Sequence, residues 1–318
     1  MRIVFLGTPD FAVPALESLL DAGHEVAGVV TQPDRSRGRH RHPTPPPVKV
    51  FAASRGLRVC QPESVNAPAF REELARLAPE LAVVVAFGQK LGRRLLRLPR
   101  HGCINVHFSL LPRHRGAAPV AHAILAGDAE TGVTILRMTE TIDAGDVLAQ
   151  ETTPIGPRET AGQLAERLAP LGACLLVKAI SSLAAGHAQP VPQDPAKSTP
   201  APSFDKEDGA IAWARPADCL ARFVRAMNPW PGAFTFWTRA GCPPLRLVVH
   251  EAEAAAGRTT QPGRIVSADG TGIGVETGEG ILRMVTLQPA GGRAMPVGDF
   301  LRGHPLSAGH TFGPASPA

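Results

Sequence analysis

The chain has no tyrosine and only five lysines against 28 arginines, alongside abundant alanine and proline. Such a skew reads as coding bias, so arginine richness alone does not mark a nucleic-acid binder; only clustering carries meaning. No uninterrupted apolar run approaches the ~18 residues of a membrane-spanning helix. The opening MRIVFLGTPDF holds one arginine and an apolar run too short for a secretory leader, and reads as a first core strand. Five scattered cysteines (Cys60, Cys103, Cys174, Cys219 and Cys242) show no CxxC spacing. That excludes a zinc cluster and a disulfide framework, and leaves reduced thiols in a chain expected to be cytoplasmic. No metal is expected. The first strand is not followed by G-x-G-x-x-G: one glycine precedes Thr8-Pro9-Asp10. A dinucleotide cofactor is therefore excluded, because backbone cannot reach a pyrophosphate there. No internal repeat is present.

What is there fits a globular chain of two domains: 318 residues, 44% hydrophobic and 19% charged. The net charge of +5 is modest, but RSRGRHRH at 35–42 concentrates four arginines. Taken alone, such a run is most often a solvated loop. RIVFLG, EVAGVVT, LAVVVAF and GCINVH read as buried strands. Between them PALESLLDAG, VKVFAASRG, FREELARLAP and KLGRRLLRL carry helical spacing, and residues 159–186 give one or two longer helices. This alternation predicts an α/β fold: a Rossmann-like, doubly wound, mostly parallel sheet over residues 1–188. Five prolines in QPVPQDPAKSTPAPS make residues 189–204 an extended linker. Residues 205–318 hold one helix (PADCLARFVRAM) and short strands at barrel-like spacing, predicting a small OB-like β-barrel.

The stretch GCINVHFSLLPRHRGAAP at 102–119 carries the chemistry. In an open parallel sheet, ligands sit beyond the carboxyl ends of strands. Asn105 and His107 lie at such an end and share one face at period two. An amide beside an imidazole suits an oxyanion forming at a carbonyl carbon. TIDAGDVLAQ places Asp143 in a turn before another strand, where a carboxylate could orient the imidazole or take a proton. Each residue alone has a structural reading: a hydrogen-bonded histidine, a turn aspartate.

With FLGTPDFAVPAL, VVTQPDR, PPPVKV, GDAETGVTI, NPWPGAFT and LQPAGGRAM added, the chain resembles the methionyl-tRNA formyltransferase family from residue 2 to about 302. The resemblance implies formyl transfer from 10-formyltetrahydrofolate, as donor substrate, to the α-amine of initiator methionyl-tRNA, with no protein partner and a monomeric chain. Asn105, His107 and Asp143 match the family's catalytic trio. Ser109, Leu110, Leu111 and Pro112 match its folate-contacting loop, and Val85, Ala86, Phe87, Gly88 and Gln89 the opposite wall. The 35–42 loop matches an inserted tRNA-contacting loop through Arg35, Arg37, Arg39 and Arg41, with Lys206 and Arg302 as contacts from the C-terminal domain. A protonated His107 is expected to meet the oxyanion, kept cationic by Asp143. One departure is Thr139-Glu140-Thr141, where relatives often carry glycine. Formyltransferases acting on sugar-nucleotide amines or glycinamide ribonucleotide, a formyltetrahydrofolate hydrolase, and a catalytically inactive nucleic-acid binder remain the alternatives.

Overall fold

The computed structural model describes residues 1–36, 43–239 and 242–313. The chain divides into two compact units: residues 1–119, 129–154 and 164–202 form one, and residues 120–128, 155–163 and 203–318 the other.

In chain order, β1 (Arg2–Gly7) leads through α1 (Val13–Asp21) to β2 (Glu25–Val30). The short pair β3 (Arg35–Ser36) and β4 (Pro43–Thr44) precedes α2 (Pro47–Ser54) and β5 (Val59–Cys60). Next come α3 (Pro68–Arg76), β6 (Leu81–Val85), α4 (Arg93–Leu96) and β7 (Cys103–His107). After α5 (Pro119–Ala126), β8 (Glu130–Arg137) and β9 (Val147–Pro154) lead into α6 (Ala161–Ala184). The first unit's sheet has the order β5-β2-β1-β6-β7-β8-β9. It is parallel from β5 to β7 and antiparallel at β7–β8 and β8–β9.

The physical reason for this layout is visible strand by strand. Ile3 to Leu6 and Leu81 to Val85 are buried throughout. Strands covered by helices on both faces need such continuous apolar runs, and each fully buried Leu, Ile or Phe contributes about 1.5–3 kcal/mol. At the edge, β9 carries Gln150, Glu151, Thr152 and Thr153 with alternating exposure, polar residues of the kind that blunt an open sheet edge. Helix α6 runs unbroken through Pro170. By length and composition it could cross a membrane. Its buried Leu164, Leu168, Leu176, Ile180 and Leu183 instead recur at helical spacing, with Glu166, Arg167 and Lys178 exposed. Gly172 lets it approach Val106, Phe108 and Val133 closely, so α6 is a core helix of this unit.

Two expectations change here. The helix predicted over KLGRRLLRL is helical only at α4, because the Asn66 amide bonds the Lys90 carbonyl (2.8 Å) and the Gly92 N–H (2.7 Å). The proline-rich stretch is extended on either side of a 3-10 turn at Pro195–Lys197, and it does not hang free as a spacer. Val191 exchanges main-chain hydrogen bonds with Val147 (2.9 Å each way), and Ala201 N–H donates to the Arg115 carbonyl at 2.7 Å.

In the second unit, α7 (Ala217–Ala226) buries Leu220, Phe223 and Val224 and packs on β11. The strands are β10 (Ala233–Arg239), β11 (Cys242–Ala255), β12 (Ile265–Asp269), β13 (Gly272–Glu276) and β14 (Ile281–Pro289). They are followed by β15 (Met295–Pro296), α8 (Val297–Gly303) and β16 (Phe312–Gly313). The antiparallel order is β12-β13-β14-β11-β10-β16. The sheet curls far enough for its edges to meet: Phe312 N–H donates to the Gly263 carbonyl and Ile265 N–H to the His310 carbonyl, both at 2.8 Å. This is the half-closed barrel the strand spacing predicts. Helix α8 has no clear signal in the residue pattern. It is one short piece, fixed by burial of Val297 and Phe300.

Candidate active site

Strand β7 is hydrogen-bonded on both sides, with Asn105 opposite Val84 of β6 and Leu136 of β8. That pairing fixes the backbone from which Asn105 and His107 project. His107 is 4% exposed. Its Nε2 lies 2.9 Å from the His114 carbonyl oxygen, and since a carbonyl only accepts, Nε2 carries the proton. Nδ1 then lies 3.6 Å from Asp143 Oδ2. Asn105 Nδ2 donates to Asp143 Oδ1 at 3.3 Å, and the Gly116 N–H donates to Asp143 Oδ2 at 2.9 Å. Amide, imidazole and carboxylate, from two separated segments, thus surround one point.

The route of Asp143 to this point is indirect. Because β8 runs antiparallel to β7, its end at Arg137 lies beside Ile104, the start of β7. The connection to β9 folds back, with Met138 N–H on the Cys103 carbonyl (2.8 Å) and Arg137 N–H on the Asp146 carbonyl (2.9 Å). Asp143 sits at φ +50°, a left-handed conformation that aspartate tolerates better than most residues. Gly145 is required for the fold-back, since a Cβ there would overlap the Arg137 carbonyl oxygen. The departing segment makes its own turn: Thr139 Oγ1 donates to the Thr141 carbonyl at 3.0 Å, and Glu140 pairs with Arg93 at 3.2 Å. Asp143 still reaches Asn105 and His107.

Burial lowers the pKa of His107 below its ordinary value of 6.5, and this outweighs the opposing pull of the Asp143 carboxylate. The expectation of a standing imidazolium is corrected on this ground: the free site favours neutral His107. A stability prediction follows. The unfolded chain takes up this proton below about pH 6.5, whereas the fold resists it to lower pH. Stability therefore rises with pH through that window and is lost as pH falls through it. Between about pH 7.5 and pH 5.5, wild-type Tm is expected to fall further than that of His107→Asn. Equal falls would contradict the burial argument.

The loop after β7 is tightly held. Ser109 is buried, with Oγ on the Arg113 carbonyl (2.7 Å) and its own carbonyl accepting from Thr134 Oγ1 (2.6 Å). Leu111, also buried, donates its N–H to Thr134 Oγ1 (3.2 Å), and its carbonyl accepts from Gln150 Nε2 (3.1 Å). Leu110 and Pro112 are the partly exposed members. Val85, the last residue of β6, and Phe87 beyond it are buried, while Ala86 (φ +46°) and Gly88 (φ +89°) are exposed. Gln89 is committed elsewhere, accepting from Val65 N–H at 2.8 Å and donating to the Pro62 and Glu63 carbonyls. Both loops leave the carboxyl ends of neighbouring parallel strands, where ligands of such sheets bind. Leu110, Pro112, Ala86 and Gly88 are the members with surface to offer a flat ring system.

The basic residues divide. Arg35 is exposed on β3, paired to Thr44 of β4; Arg37, Arg39 and Arg41 lie outside the described residues. In the second unit Lys206 is exposed. Arg302 is exposed on α8 and paired with Asp299 at 2.6 Å. Two groups that hold the trio were not singled out from sequence, the His114 carbonyl and the Gly116 N–H. A signal existed for the second: Gly116 (φ +135°) follows PRHR within the stretch that drew attention, and only a residue without Cβ fits against the Ala201 carbonyl.

Comparison with known proteins agrees along the whole chain. Residues 1–180 match the formyl transferase family model, and residues 203–305 match that of the formyl transferase C-terminal domain. A methionyl-tRNA formyltransferase of Moorella thermoacetica is 46% identical over 317 residues, covering 98% of this chain and 99% of its own length. One from Bacillus licheniformis is 44% identical over 321 residues, covering 98% of each. Among solved structures, HypX from Aquifex aeolicus in complex with tetrahydrofolic acid aligns with a TM-score of 0.60 at 19% identity, over 95% of this chain and 47% of that one. WlaRD, a sugar 3N-formyl transferase, aligns at 0.63 and 16% identity, over 89% of this chain and 96% of its own. At such identities the structural likeness speaks for the fold alone. The full-length relatives, together with both domain matches, show that this chain belongs to the methionyl-tRNA formyltransferase family.

Proposed function

We propose that this protein transfers the formyl group of 10-formyltetrahydrofolate to the α-amine of initiator methionyl-tRNA, giving formylmethionyl-tRNA for translation initiation in the cytoplasm. The observation that carries the reading is the meeting of Asn105, His107 and Asp143 within 3.3–3.6 Å, in a chain 46% identical to a methionyl-tRNA formyltransferase from end to end. The folate is a substrate, consumed as its formyl group leaves.

The chain's own residues then do three things. The amine must attack as a free base; an α-amine titrates near ~7.7–8.0, so a fraction is already neutral near pH 7. As the new C–N bond forms, the amine nitrogen sheds a proton. Neutral His107, with Nε2–H held by His114 and Nδ1 facing Asp143, can accept that proton directly or through Asp143. The imidazolium so formed is paired with a carboxylate, and it appears as negative charge grows on the formyl oxygen. When the oxyanion collapses back to a carbonyl, the bond from the formyl carbon to the folate N10 breaks, its electron pair leaves on N10, and the imidazolium returns the proton to that nitrogen. Asn105 has a second N–H beyond the one engaged by Asp143. One such donor on a developing oxyanion is worth about 3–4 kcal/mol of barrier, and proton transfer of this kind about 10²–10⁴ in rate.

Formyl-transfer assays on charged initiator tRNA, a sugar-nucleotide amine and glycinamide ribonucleotide test the substrate. Transfer to the tRNA alone is expected; activity on a sugar amine with none on tRNA would overturn the reading. On the tRNA side, neutralising Arg35, Arg37, Arg39 and Arg41 together is expected to weaken affinity. It should also flatten the plot of log K against log salt by roughly 0.9 for each phosphate that is no longer neutralised. An unchanged slope would remove the loop from the interface.

A further inference from the structure

Gln193 lies in the proline-rich stretch after α6, and every hydrogen-bonding direction of its amide is used toward the site. Nε2 donates to the main-chain carbonyls of Asp143 (2.9 Å) and Gly145 (2.6 Å). Oε1 accepts from Arg115 Nη2 (2.7 Å) and Nε (3.1 Å). One side chain thus ties the turn carrying Asp143 to the loop carrying His114, Arg115 and Gly116. Both ends of the tie touch the trio. The turn holds Asp143 itself; the loop holds His107 through the His114 carbonyl and Asp143 through the Gly116 N–H.

The tie has something to oppose. A left-handed backbone is disfavoured for an L-residue, though less for aspartate than for most, and Asp143 adopts one on a partly exposed turn. Two donors placed on the carbonyls of Asp143 and Gly145 fix the Asp143–Ala144 and Gly145–Asp146 peptide planes. The tether is itself anchored at both ends of its stretch. Val191 is bridged to Val147. Thr199 Oγ1 accepts from His114 N–H at 2.8 Å, and the Thr199 carbonyl from Arg115 N–H at 2.9 Å. An amide suits this place because it presents two N–H donors to carbonyl oxygens and an acceptor to a guanidinium at once. A glutamate would keep the guanidinium and lose both donors.

We propose that Gln193 is a positioning residue for formyl transfer: by holding the Asp143 and Gly145 carbonyls, aligned by Arg115, it aims the Asp143 carboxylate at His107. It touches neither substrate. The inference rests on reading Asn105, His107 and Asp143 as the reacting groups.

The test uses the full chain and compares wild type, Gln193→Ala, Gln193→Glu, Arg115→Ala and His107→Ala for formyl transfer to methionyl-tRNA. Tm and the pH dependence of kcat are measured on each. Gln193→Ala and Gln193→Glu are expected to lose roughly 10–100-fold in kcat, the scale of a small misplacement at a reacting group, with KM for both substrates within about threefold. Arg115→Ala should lose less, in the same direction. The acid limb of kcat should move to lower pH in the Gln193 variants. Asp143 raises the His107 pKa against burial, and a carboxylate that swings away raises it less. A merely structural glutamine would lower Tm and leave that limb in place. Should Gln193→Ala fail to fold, Gln193→Glu and Arg115→Ala carry the test. Wild-type kcat and an unmoved limb in Gln193→Glu, beside an inactive His107→Ala, would overturn the positioning role alone. An active His107→Ala would overturn the reading beneath it as well.

Discussion

His107→Ala is expected to lose about 10²–10⁴-fold in kcat while KM for either substrate changes little. The imidazole is too buried to serve as a binding surface. It is 4% exposed, its Nε2–H is spent on the His114 carbonyl, and its remaining nitrogen faces Asp143. What it can contribute is a proton-accepting lone pair that becomes a cation as the formyl oxygen becomes an anion. Truncation removes that exchange and leaves the surfaces offered by Leu110, Pro112, Ala86 and Gly88 intact. Steady-state kinetics with methionyl-tRNA checks it. A rise in KM with near-normal kcat would make His107 a scaffold residue.

Asp143→Asn should cost a comparable factor, and it separates chemistry from folding. Asparagine accepts the φ +50° backbone as readily as aspartate does, and its carbonyl oxygen can still take the Gly116 N–H that now lies 2.9 Å from Oδ2. The turn is therefore expected to persist and Tm to hold. What disappears is the negative charge 3.6 Å from His107 Nδ1. With that oxygen kept on the Gly116 N–H, the amide nitrogen takes the Oδ1 place beside Asn105, and no carboxylate remains to stabilise the imidazolium or to relay a proton to it. A kcat lowered by about 10²–10⁴ at unchanged Tm is the expected pair of results. Retained kcat would mean that Asp143 holds the loop and nothing more.

How much of this could be read from residues alone depends on what each feature rests on. β1 and β6 were legible because strands buried on both faces must be apolar without interruption, β2 and β7 because short apolar runs follow the helices between them, and α1 and α3 because one face of each repeats at helical spacing. The residues of the candidate site could be picked out too, an amide and an imidazole two residues apart at a strand end and an aspartate in a turn before a strand, and the fold brings these three together. Their environment was not legible. His107 Nε2 meets a carbonyl seven residues on, and burial, working against both that contact and the Asp143 carboxylate, lowers its pKa and favours the neutral ring. The antiparallel run of β8, which sends Asp143 back over β7, depends on pairing with no local signature. α4 is short because Asn66, distant in sequence, takes its first-turn partners. Prolines predicted an extended stretch at 189–204; Pro195–Lys197 form a 3-10 turn within it, and what the stretch grips depends on Gln193 and Thr199 finding partners across the unit.

The central claim is that Asn105, His107 and Asp143 act as one unit, and a double-mutant cycle in single-turnover formyl transfer tests it most directly. Groups that work through one another are non-additive, so His107→Ala with Asp143→Ala should be little slower than the slower single variant. If the two losses multiply, the imidazole and the carboxylate act independently and the account is contradicted.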